Sequence, residues 1–296
     1  ALLKAYGIGP GDEVIVPDIT FVATANAVIM AGATPVFCEI EKDYFCIDPT
    51  SILSHITANT KCIIPVHLYG QSCDMEQIME IAKMHSLLVI EDAAQGIGVL
   101  HNKIHVGTIG DAGILSFYGN KTITCGEGGV ILTNNDEIIS KCYRLKNHGR
   151  NVKGVFIHDE IGYNFSFTEM QAALGLSQLR KLDRIIEKKK NIHDKYKSSL
   201  VGIPDLEFVK IRKESTPVYW FTSILSDKAE GLIQHLKANE ITTRLFFYPL
   251  HAQPCYKRDN CKSIGDFSYS QHIYNRAVSL PSSYSLTEEQ QNFVIE

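Results

Sequence analysis

One lysine of the sequence lies where an amine could act as a nucleophile. Lys121 follows an apolar run at residues 114–117 and precedes a glycine-rich turn at 126–129, after which a second apolar run begins. A lysine held in a turn between two buried strands loses part of its hydration, which lowers its pKa and makes it a usable nucleophile. The alternative is an exposed loop lysine that neutralises a nearby carboxylate, and structural lysines of this kind outnumber catalytic ones.

A second candidate is an acid at the end of another apolar run. Residues 87–90 are continuously apolar, which is typical of a strand buried on both faces, and Glu91 and Asp92 follow directly. An acid at the carboxyl end of a parallel strand lies where open α/β sheets bind ligands. The alternative for Asp92 is the N-cap of a helix, a role that aspartate fills well.

Lys121 and Asp92 together match the needs of one cofactor. Pyridoxal phosphate (PLP) is held through its aldehyde by a lysine that forms a Schiff base, and a carboxylate keeps its pyridine nitrogen protonated so that the ring can accept electrons. Neither residue indicates this chemistry alone, because each has an ordinary structural alternative. The pair makes PLP a hypothesis that the rest of the chain must support.

The elements around these residues predict a mainly parallel sheet that helices cover on both faces. Strand-like runs alternate with helical segments, and they lie at 14–16, 35–40, 62–68 and 87–90. One helix is expected from a Thr20 cap to about residue 30, and another over 74–84. Right-handed crossovers bring the loops after parallel strands to one edge, so we expect Phe21, His67 and Asp92 to converge there.

The rest of the chain predicts one long helix and a second, smaller domain. Thr168 and Gln171 have the spacing of a capping box, and the helix that they begin is expected to reach about residue 199. We expect a large domain at 1–200 and a small, antiparallel α/β domain at 201–296. The chain begins inside one helical pattern and stops soon after another begins, so we interpret it as a fragment trimmed at both ends.

Composition excludes several classes of function. The chain has 296 residues, which is enough for a large buried core. Its net charge of −4 gives no indication of a basic surface that would bind nucleic acid or anionic membranes. No apolar run approaches the roughly 18 residues of a membrane span, and the first residues lack the pattern of a signal peptide. The sequence therefore predicts neither a nucleic-acid nor a membrane partner.

The cysteines indicate a reducing compartment. The chain has eight of them, and none is arranged as a Cys-x-x-Cys pair. Several lie in strand-like apolar runs, as Cys38 and Cys62 do, which is typical of buried free thiols. We therefore expect a cytoplasmic protein with neither a disulfide framework nor a metal site.

Several motifs in order along the chain carry a family resemblance. The segment 116–124 reads Ser-Phe-Tyr-Gly-Asn-Lys-Thr-Ile-Thr, and Gly-Glu-Gly-Gly follows at 126–129. Further matching blocks lie at 11–17, 20–27, 32–37, 65–71, 91–95 and 162–165. The chain resembles the DegT/DnrJ/EryC1/StrS family of PLP-dependent nucleotide-sugar aminotransferases, and its lysine block most resembles the perosamine synthase branch. This resemblance implies the aspartate aminotransferase-like fold, PLP fold type I.

The resemblance assigns cofactor roles to particular residues. Lys121 would hold PLP and Asp92 its ring nitrogen. Phe21 would stack on the cofactor ring, Gln95 would reach its phenolic oxygen, and Ser116 would donate to its phosphate. Each of the last three also has an ordinary interpretation: a core residue, a helix-start amide and a hydroxyl satisfied within its strand.

Asn164 implies a dimer. In the resembling enzymes the asparagine of the Gly-Tyr-Asn-Phe motif at 162–165 reaches the phosphate of the partner's cofactor. The chain is therefore expected to form a homodimer with shared active sites. The alternative is that Asn164 only precedes and caps the long helix.

Three residues are candidates for binding the substrate. His67 follows a predicted strand, and Tyr248 and His251 lie in a block that resembles the sugar side of the family's site. The alternatives are a structural histidine bonded to backbone and, for the later pair, a strand end with a surface histidine.

The resemblance implies an enzyme that transfers an amino group, and glutamate is the expected donor. The acceptor would be a nucleotide-linked 4-keto-6-deoxyhexose, and the product a 4-amino-4,6-dideoxy sugar nucleotide of the perosamine or viosamine type. Two alternatives stay open. The first is a sugar 3-dehydratase of the same family, in which histidine replaces the lysine, and Lys121 opposes it. The second is a non-catalytic PLP-binding regulator. The base and the hexose configuration are left undetermined.

Overall fold

The computed structural model describes residues 1–152, 154–257 and 261–296. Within them the strands are β1 Glu13–Pro17, β2 Thr34–Cys38, β3 Thr60–Ile63, β4 Leu88–Asp92, β5 Leu100–His101, β6 Ile104–His105, β7 Ala112–Ser116, β8 Gly129–Leu132, β9 Leu206–Phe208, β10 Ser215–Thr216, β11 Thr222–Ser226, β12 Arg244–Leu245, β13 Lys262–Ser263 and β14 Ala277–Leu280. The helices are α1 Leu2–Ala5, α2 Ala23–Ala31, α3 Pro49–His55, α4 Met75–His85, α5 Asp136–Lys146, α6 Glu169–Leu179, α7 Leu182–Leu200, α8 Ala229–Ala238, α9 Ser268–Arg276 and α10 Glu288–Ile295.

The largest sheet is mainly parallel, as predicted. It has seven strands in the order β13-β2-β1-β3-β4-β7-β8. All neighbouring pairs are parallel except β7 and β8, which are antiparallel. The loop between these two strands carries Lys121.

Both faces of this sheet are covered. Ile15 packs in one core cluster with residues of α3 and α4, whereas Val14 and Val16 pack in another with residues of α1, α2 and α5. Successive side chains of a strand point to opposite faces, so a strand with two buried faces needs apolar residues throughout. The three β1 residues are accordingly fully buried, and this explains why the apolar runs were continuous.

The later part of the chain forms a four-stranded antiparallel sheet in the order β12-β14-β11-β9. The antiparallel arrangement predicted for this part is thus present. The last long helix before it, α7, ends at Leu200. Strand β13 nevertheless pairs with β2 of the large sheet, where Lys262 lies opposite Val36. The division into 1–200 and 201–296 stays a prediction.

Two local predictions were wrong. The helix expected to begin at Thr20 begins at Ala23 as α2, with Val22 in the N-cap position. The hydroxyl of Thr20 is instead buried and has no hydrogen-bond partner among the described residues. Because the N-cap position falls on Val22, Thr20 lies too early in the chain to cap the helix.

The long helix expected from Thr168 is two helices. The capping box of Thr168 and Gln171 is present, but α6 ends at Leu179 and α7 begins at Leu182. The two helices lie in different surroundings, because Leu174 and Leu179 are about half exposed whereas Ile185 is buried. Neither proline nor glycine marks the break, so the sequence carried no signal for it.

The cysteines are free thiols, and six of the eight are buried. In the part of the chain that the structure describes, no helix combines the length and apolar character that crossing a membrane requires.

Candidate active site

A cavity of about 1050 Å³ opens at the edge of the large sheet where β4 and β7 end. Four of the predicted site residues line it: Phe21, Asp92, Ser116 and Lys121. Asp92 is the last residue of β4 and Ser116 the last residue of β7, and these strands are neighbours. The carboxyl edge of the parallel sheet therefore brings together residues that the sequence separates.

Lys121 lies in a turn after β7. Its backbone N–H donates to the carbonyl of Tyr118 at 3.0 Å, and its Nζ lies 4.2 Å from the centroid of the Trp220 ring. Burial lowers the pKa of Lys121 to about 8, against the attraction of the Asp92 carboxylate and with the help of the Arg244 charge. The lowered pKa increases the neutral fraction of this amine near neutral pH, and the neutral form is the one that a nucleophile or proton acceptor requires.

The carboxylate of Asp92 is held at both oxygens. Its Oδ2 accepts a hydrogen bond from Thr24 Oγ1 at 2.7 Å, and its Oδ1 accepts one from the N–H of Ala94 at 3.1 Å. The two donors fix the orientation of the carboxylate. Asp92 is thus fixed as an acceptor at the wall of the cavity.

Ser116 and Phe21 contribute a hydroxyl and an aromatic face. The Oγ of Ser116 accepts from the N–H of Tyr118 at 3.3 Å, which leaves its own proton for a ligand. The Phe21 side chain is 54% exposed, and its ring lies 6.0 Å from that of Phe247. An aromatic ring so exposed at a cavity wall is not a core residue, and its free face suits stacking on a flat ligand.

Gln95 and His67 do not line the cavity. The Oε1 of Gln95 accepts from the backbone N–H of Tyr69 at 2.8 Å. His67 is fully buried; its Nε2 lies 2.9 Å from a Glu91 oxygen, and its Nδ1 accepts from the N–H of Cys73 at 3.2 Å. Both ring nitrogens of His67 are therefore used within the fold, which favours the structural interpretation of this histidine.

Asn164 also lies outside the cavity lining. It is exposed and forms an isolated antiparallel bridge with Asn147, while its neighbours Tyr163 and Phe165 do line the cavity. An exposed amide beside the rim of a cavity is available to a second chain.

The two later substrate candidates are engaged elsewhere. The Nδ1 of His251 lies 2.7 Å from an oxygen of the buried Asp18, and its ring stacks on Phe267. Tyr248 packs edge-on against Tyr274 at 5.0 Å. Neither of the two side chains lines the cavity.

Sequence reasoning missed three residues that line it: Thr24, Trp220 and Arg244. Thr24 comes one helical turn after Phe21, a spacing that could have identified it. Arg244 lies in the block that supplied Tyr248 and His251. Trp220 is the single tryptophan of the chain, but nothing in its local sequence links it to Lys121.

The residues present fit PLP. Lys121 offers an amine of lowered pKa, Asp92 a carboxylate held by hydrogen bonds, Ser116 a free hydroxyl proton and Phe21 an open aromatic face. These are the groups that an aldehyde, a protonated pyridine, a phosphate and a flat ring require. The cavity is at the upper end of the volumes usual for small-molecule sites, so a cofactor and a second ligand can share it.

Comparison with known proteins agrees with this geometry. The model of the DegT/DnrJ/EryC1/StrS aminotransferase family matches residues 1–296. GDP-perosamine synthase of Vibrio cholerae is 40% identical over 97% of this chain and 79% of its own length. GDP-perosamine synthase of Escherichia coli O157:H7 is 41% identical over 99% of this chain and 80% of its own.

A solved structure shows the same fold. DesV of S. venezuelae superposes with a TM-score of 0.93 at 32% identity, over 99% of this chain and 79% of that one. The predicted aspartate aminotransferase-like fold is thereby confirmed. The chain belongs to the DegT/DnrJ/EryC1/StrS aminotransferase family, and it is a PLP-dependent aminotransferase.

Proposed function

We propose that this enzyme transfers an amino group from glutamate to a nucleotide-linked 4-keto-6-deoxyhexose and yields a 4-amino-4,6-dideoxy sugar nucleotide of the perosamine type. The observation that carries the proposal is the lysine of lowered pKa that faces a cavity also lined by a held carboxylate. The GDP-perosamine synthases, at 40% and 41% identity over nearly the whole chain, support the substrate class.

Lys121 would do the proton chemistry. When bound, PLP supplies an electron sink that makes a proton on the substrate carbon removable. The neutral Nζ of Lys121 accepts that proton, and the resulting ammonium returns it at a neighbouring carbon. A pKa of about 8 serves both directions, because the amine gives up and takes a proton at little cost near neutral pH.

Asp92 would hold the cofactor's ring nitrogen in its protonated form. Its carboxylate is oriented by Thr24 and by the N–H of Ala94, so a cationic N–H beside it gains a charge-assisted hydrogen bond. Ser116 would donate to the phosphate, and the Phe21 ring would cover one face of the pyridine. Gln95 is still proposed to contact the phenolic oxygen of the cofactor. It would donate from Nε2, because its Oε1 already accepts from the N–H of Tyr69.

Arg244 is the residue that we propose for the anionic groups of the substrates. It lines the cavity, and its guanidinium lies 5.1 Å from the centroid of the Phe221 ring. In the described residues, Lys4 and Lys121 are the other cations of the lining and Asp92 is its acid. Both a donor carboxylate and a nucleotide diphosphate would be attracted to such a wall.

We further propose a homodimer with shared sites. Several apolar side chains close in sequence to Asn164 are exposed: Phe156 is 81% exposed, Ile161 87% and Met170 82%. Contiguous exposed apolar side chains mark interaction surfaces. A second copy related by a two-fold axis would cover this surface and place each Asn164 beside the partner's phosphate. The free, mostly buried thiols support a reducing cytoplasmic location.

The proposed function is tested with a substrate panel. The full chain with PLP and glutamate is given GDP-, UDP- and dTDP-linked 4-keto-6-deoxy sugars, and the amino sugar is detected by mass spectrometry. We expect a 4-amino sugar product from at least one of them, and the GDP sugar is tested first because two similar proteins are GDP-perosamine synthases. A Lys121→Ala variant is the control. No amination of any sugar by a protein that binds PLP would contradict the proposal and favour a binding protein.

A further inference from the structure

The single tryptophan of the chain is fixed against the catalytic loop. Trp220 is 3% exposed, and its indole N–H donates to the carbonyl of Asn120 at 2.7 Å. Asn120 immediately precedes Lys121, whose Nζ lies 4.2 Å from the centroid of the same indole. One side chain thus both anchors the loop and contacts the amine that the loop carries.

A second lysine, Lys189, holds the backbone of Trp220. Lys189 of α7 is 7% exposed, and its Nζ donates to the carbonyls of Trp220 at 3.0 Å and Ser282 at 3.1 Å. Among the described residues it forms no ion pair with a carboxylate. A buried ammonium compensated only by carbonyls is costly, so its presence points to a need for this geometry.

The ring is also packed on its sides. Tyr69 stacks against it with centroids 5.8 Å apart, and Phe221 packs at 4.4 Å. Tyr69 is tied in turn through its N–H to the Oε1 of Gln95, near Asp92 in sequence. The indole therefore has little freedom to follow Lys121 if that side chain moves.

We propose that Trp220 is a positioning residue for Lys121, that its ring is the resting place of the amine whenever this is not bonded to the cofactor, and that Lys189 holds the ring there. The inference rests on the proposed role of Lys121. A lysine has four flexible methylene groups, and proton transfer needs its amine to stay in reach after release. An aromatic face attracts the ammonium, which keeps it near the reacting carbons.

The charge state of Lys121 should then be visible in tryptophan emission. The charged groups that act on its Nζ are Asp92 from β4 and Arg244 from β12, and Lys4 of α1 also lines the cavity. We expect emission of the cofactor-free full chain to change with a midpoint near the pKa of about 8 of Lys121.

Two variants separate the lysines, because Lys189 has a similarly lowered pKa. Lys121→Met should abolish the transition, whereas Lys189→Arg, which keeps the charge but does not titrate in this range, should retain it. A transition that persists in Lys121→Met, or a flat titration of the unaltered chain, would overturn the proposal. The comparison does not depend on any change to the tryptophan or its packing.

Kinetics of the holoenzyme give a second readout. We expect Trp220→Leu to lower kcat about tenfold with little change in KM, and Trp220→Phe, which keeps a ring, to lower it less. Unchanged kcat in both folded variants would also overturn the proposal. Borohydride reduction and peptide mapping of the same holoenzyme preparations test the proposed function separately. A label away from Lys121 contradicts that function, whereas a label on Lys121 with no emission transition contradicts only this inference.

Discussion

Lys121 and Lys189 are two lysines whose pKa burial lowers to about 8, yet their surroundings differ. Lys189 donates to two backbone carbonyls in the interior, so its hydrogen bonds are committed to the fold. Lys121 lies over an aromatic ring at the wall of a large cavity, near Asp92. A lowered pKa therefore does not distinguish a nucleophile from a structural group. What distinguishes them is an open space beside the nitrogen that a ligand can enter.

The largest effect that separates the two lysines is on activity. We expect Lys121→Ala to lower kcat by roughly 10³-fold or more, because it would remove both the proposed covalent anchor and the proposed proton carrier. Lys189→Met is the matched control, and it should keep the cofactor anchor and a much larger share of activity. Single-turnover rates and peptide mapping after borohydride reduction measure both. A reduced label on any lysine other than Lys121 would reverse the assignment.

The second prediction concerns Asp92, which lines the same cavity as Lys121. We expect Asp92→Asn to lower kcat about a hundredfold, roughly 3 kcal/mol, because an amide no longer stabilises a protonated ring nitrogen. The amine of Lys121 should still carry the cofactor, which absorbance and reductive labelling would show. Thr24→Val is a milder comparison, since it removes a single hydrogen bond to the same carboxylate. Near-native turnover of Asp92→Asn would mean that another group protonates the ring.

If two chains share each active site, mixing two inactive variants should restore activity when one carries a substitution at Lys121 and the other at Asn164. A substitution in the interior, at Lys189, should not show this behaviour. Lys121→Ala and Asn164→Asp chains are each expected to be inactive, the second because its added charge repels the phosphate. If sites are shared, one site of each mixed dimer carries both lesions and the other carries neither. Random exchange should then restore about a quarter of native activity, one intact site in half of the dimers.

Mixing is informative only when chains exchange, so differently tagged chains must first be shown to co-purify. Mixed dimers without activity would place Asn164 in the site of its own chain or outside any site. Mixing Lys121→Ala with Lys189→Met provides the comparison, because Lys189 is not expected to act across the dimer.

The smallest effect is one that both lysines should share. Each has a lower pKa in the folded chain than its ordinary value of 10.5, so between about pH 8 and pH 10.5 the unfolded chain binds more protons. Stability therefore rises with pH in that window, and the cost of the buried charge is fully present below it. We expect the unaltered chain to gain on the order of 1–3 kcal/mol relative to Lys189→Met between pH 7.5 and pH 10.

Urea unfolding of both proteins at each pH measures this difference, and groups common to the two cancel. Lys121→Met should show a shift of the same sign. A difference that falls as pH rises would show that the charged form of Lys189 is stabilised in the folded chain, contrary to the lowering of its pKa by burial.

Local sequence determined much of the fold and the centre of the site. Continuous apolar runs marked β1 and β4 because both faces of the parallel sheet are covered, and the capping box of Thr168 and Gln171 marked the start of α6. Lys121 and Asp92, which line the same cavity, could be proposed from sequence because a turn lysine and a strand-end acid are recognisable within a few residues. The motifs around them identified the family, and the comparisons confirmed it.

Tertiary structure alone decided what surrounds those residues. Trp220 meets the carbonyl of Asn120 across 100 positions of the chain, and Arg244 reaches the same cavity from the other sheet. His67 pairs with Glu91 in the interior, although its position at the end of a strand resembled that of a ligand-binding residue. The pKa of Lys121 likewise depends on burial that these distant groups create. Periodicity and local motifs report the order of elements along the chain, but contacts between distant elements depend on how those elements pack.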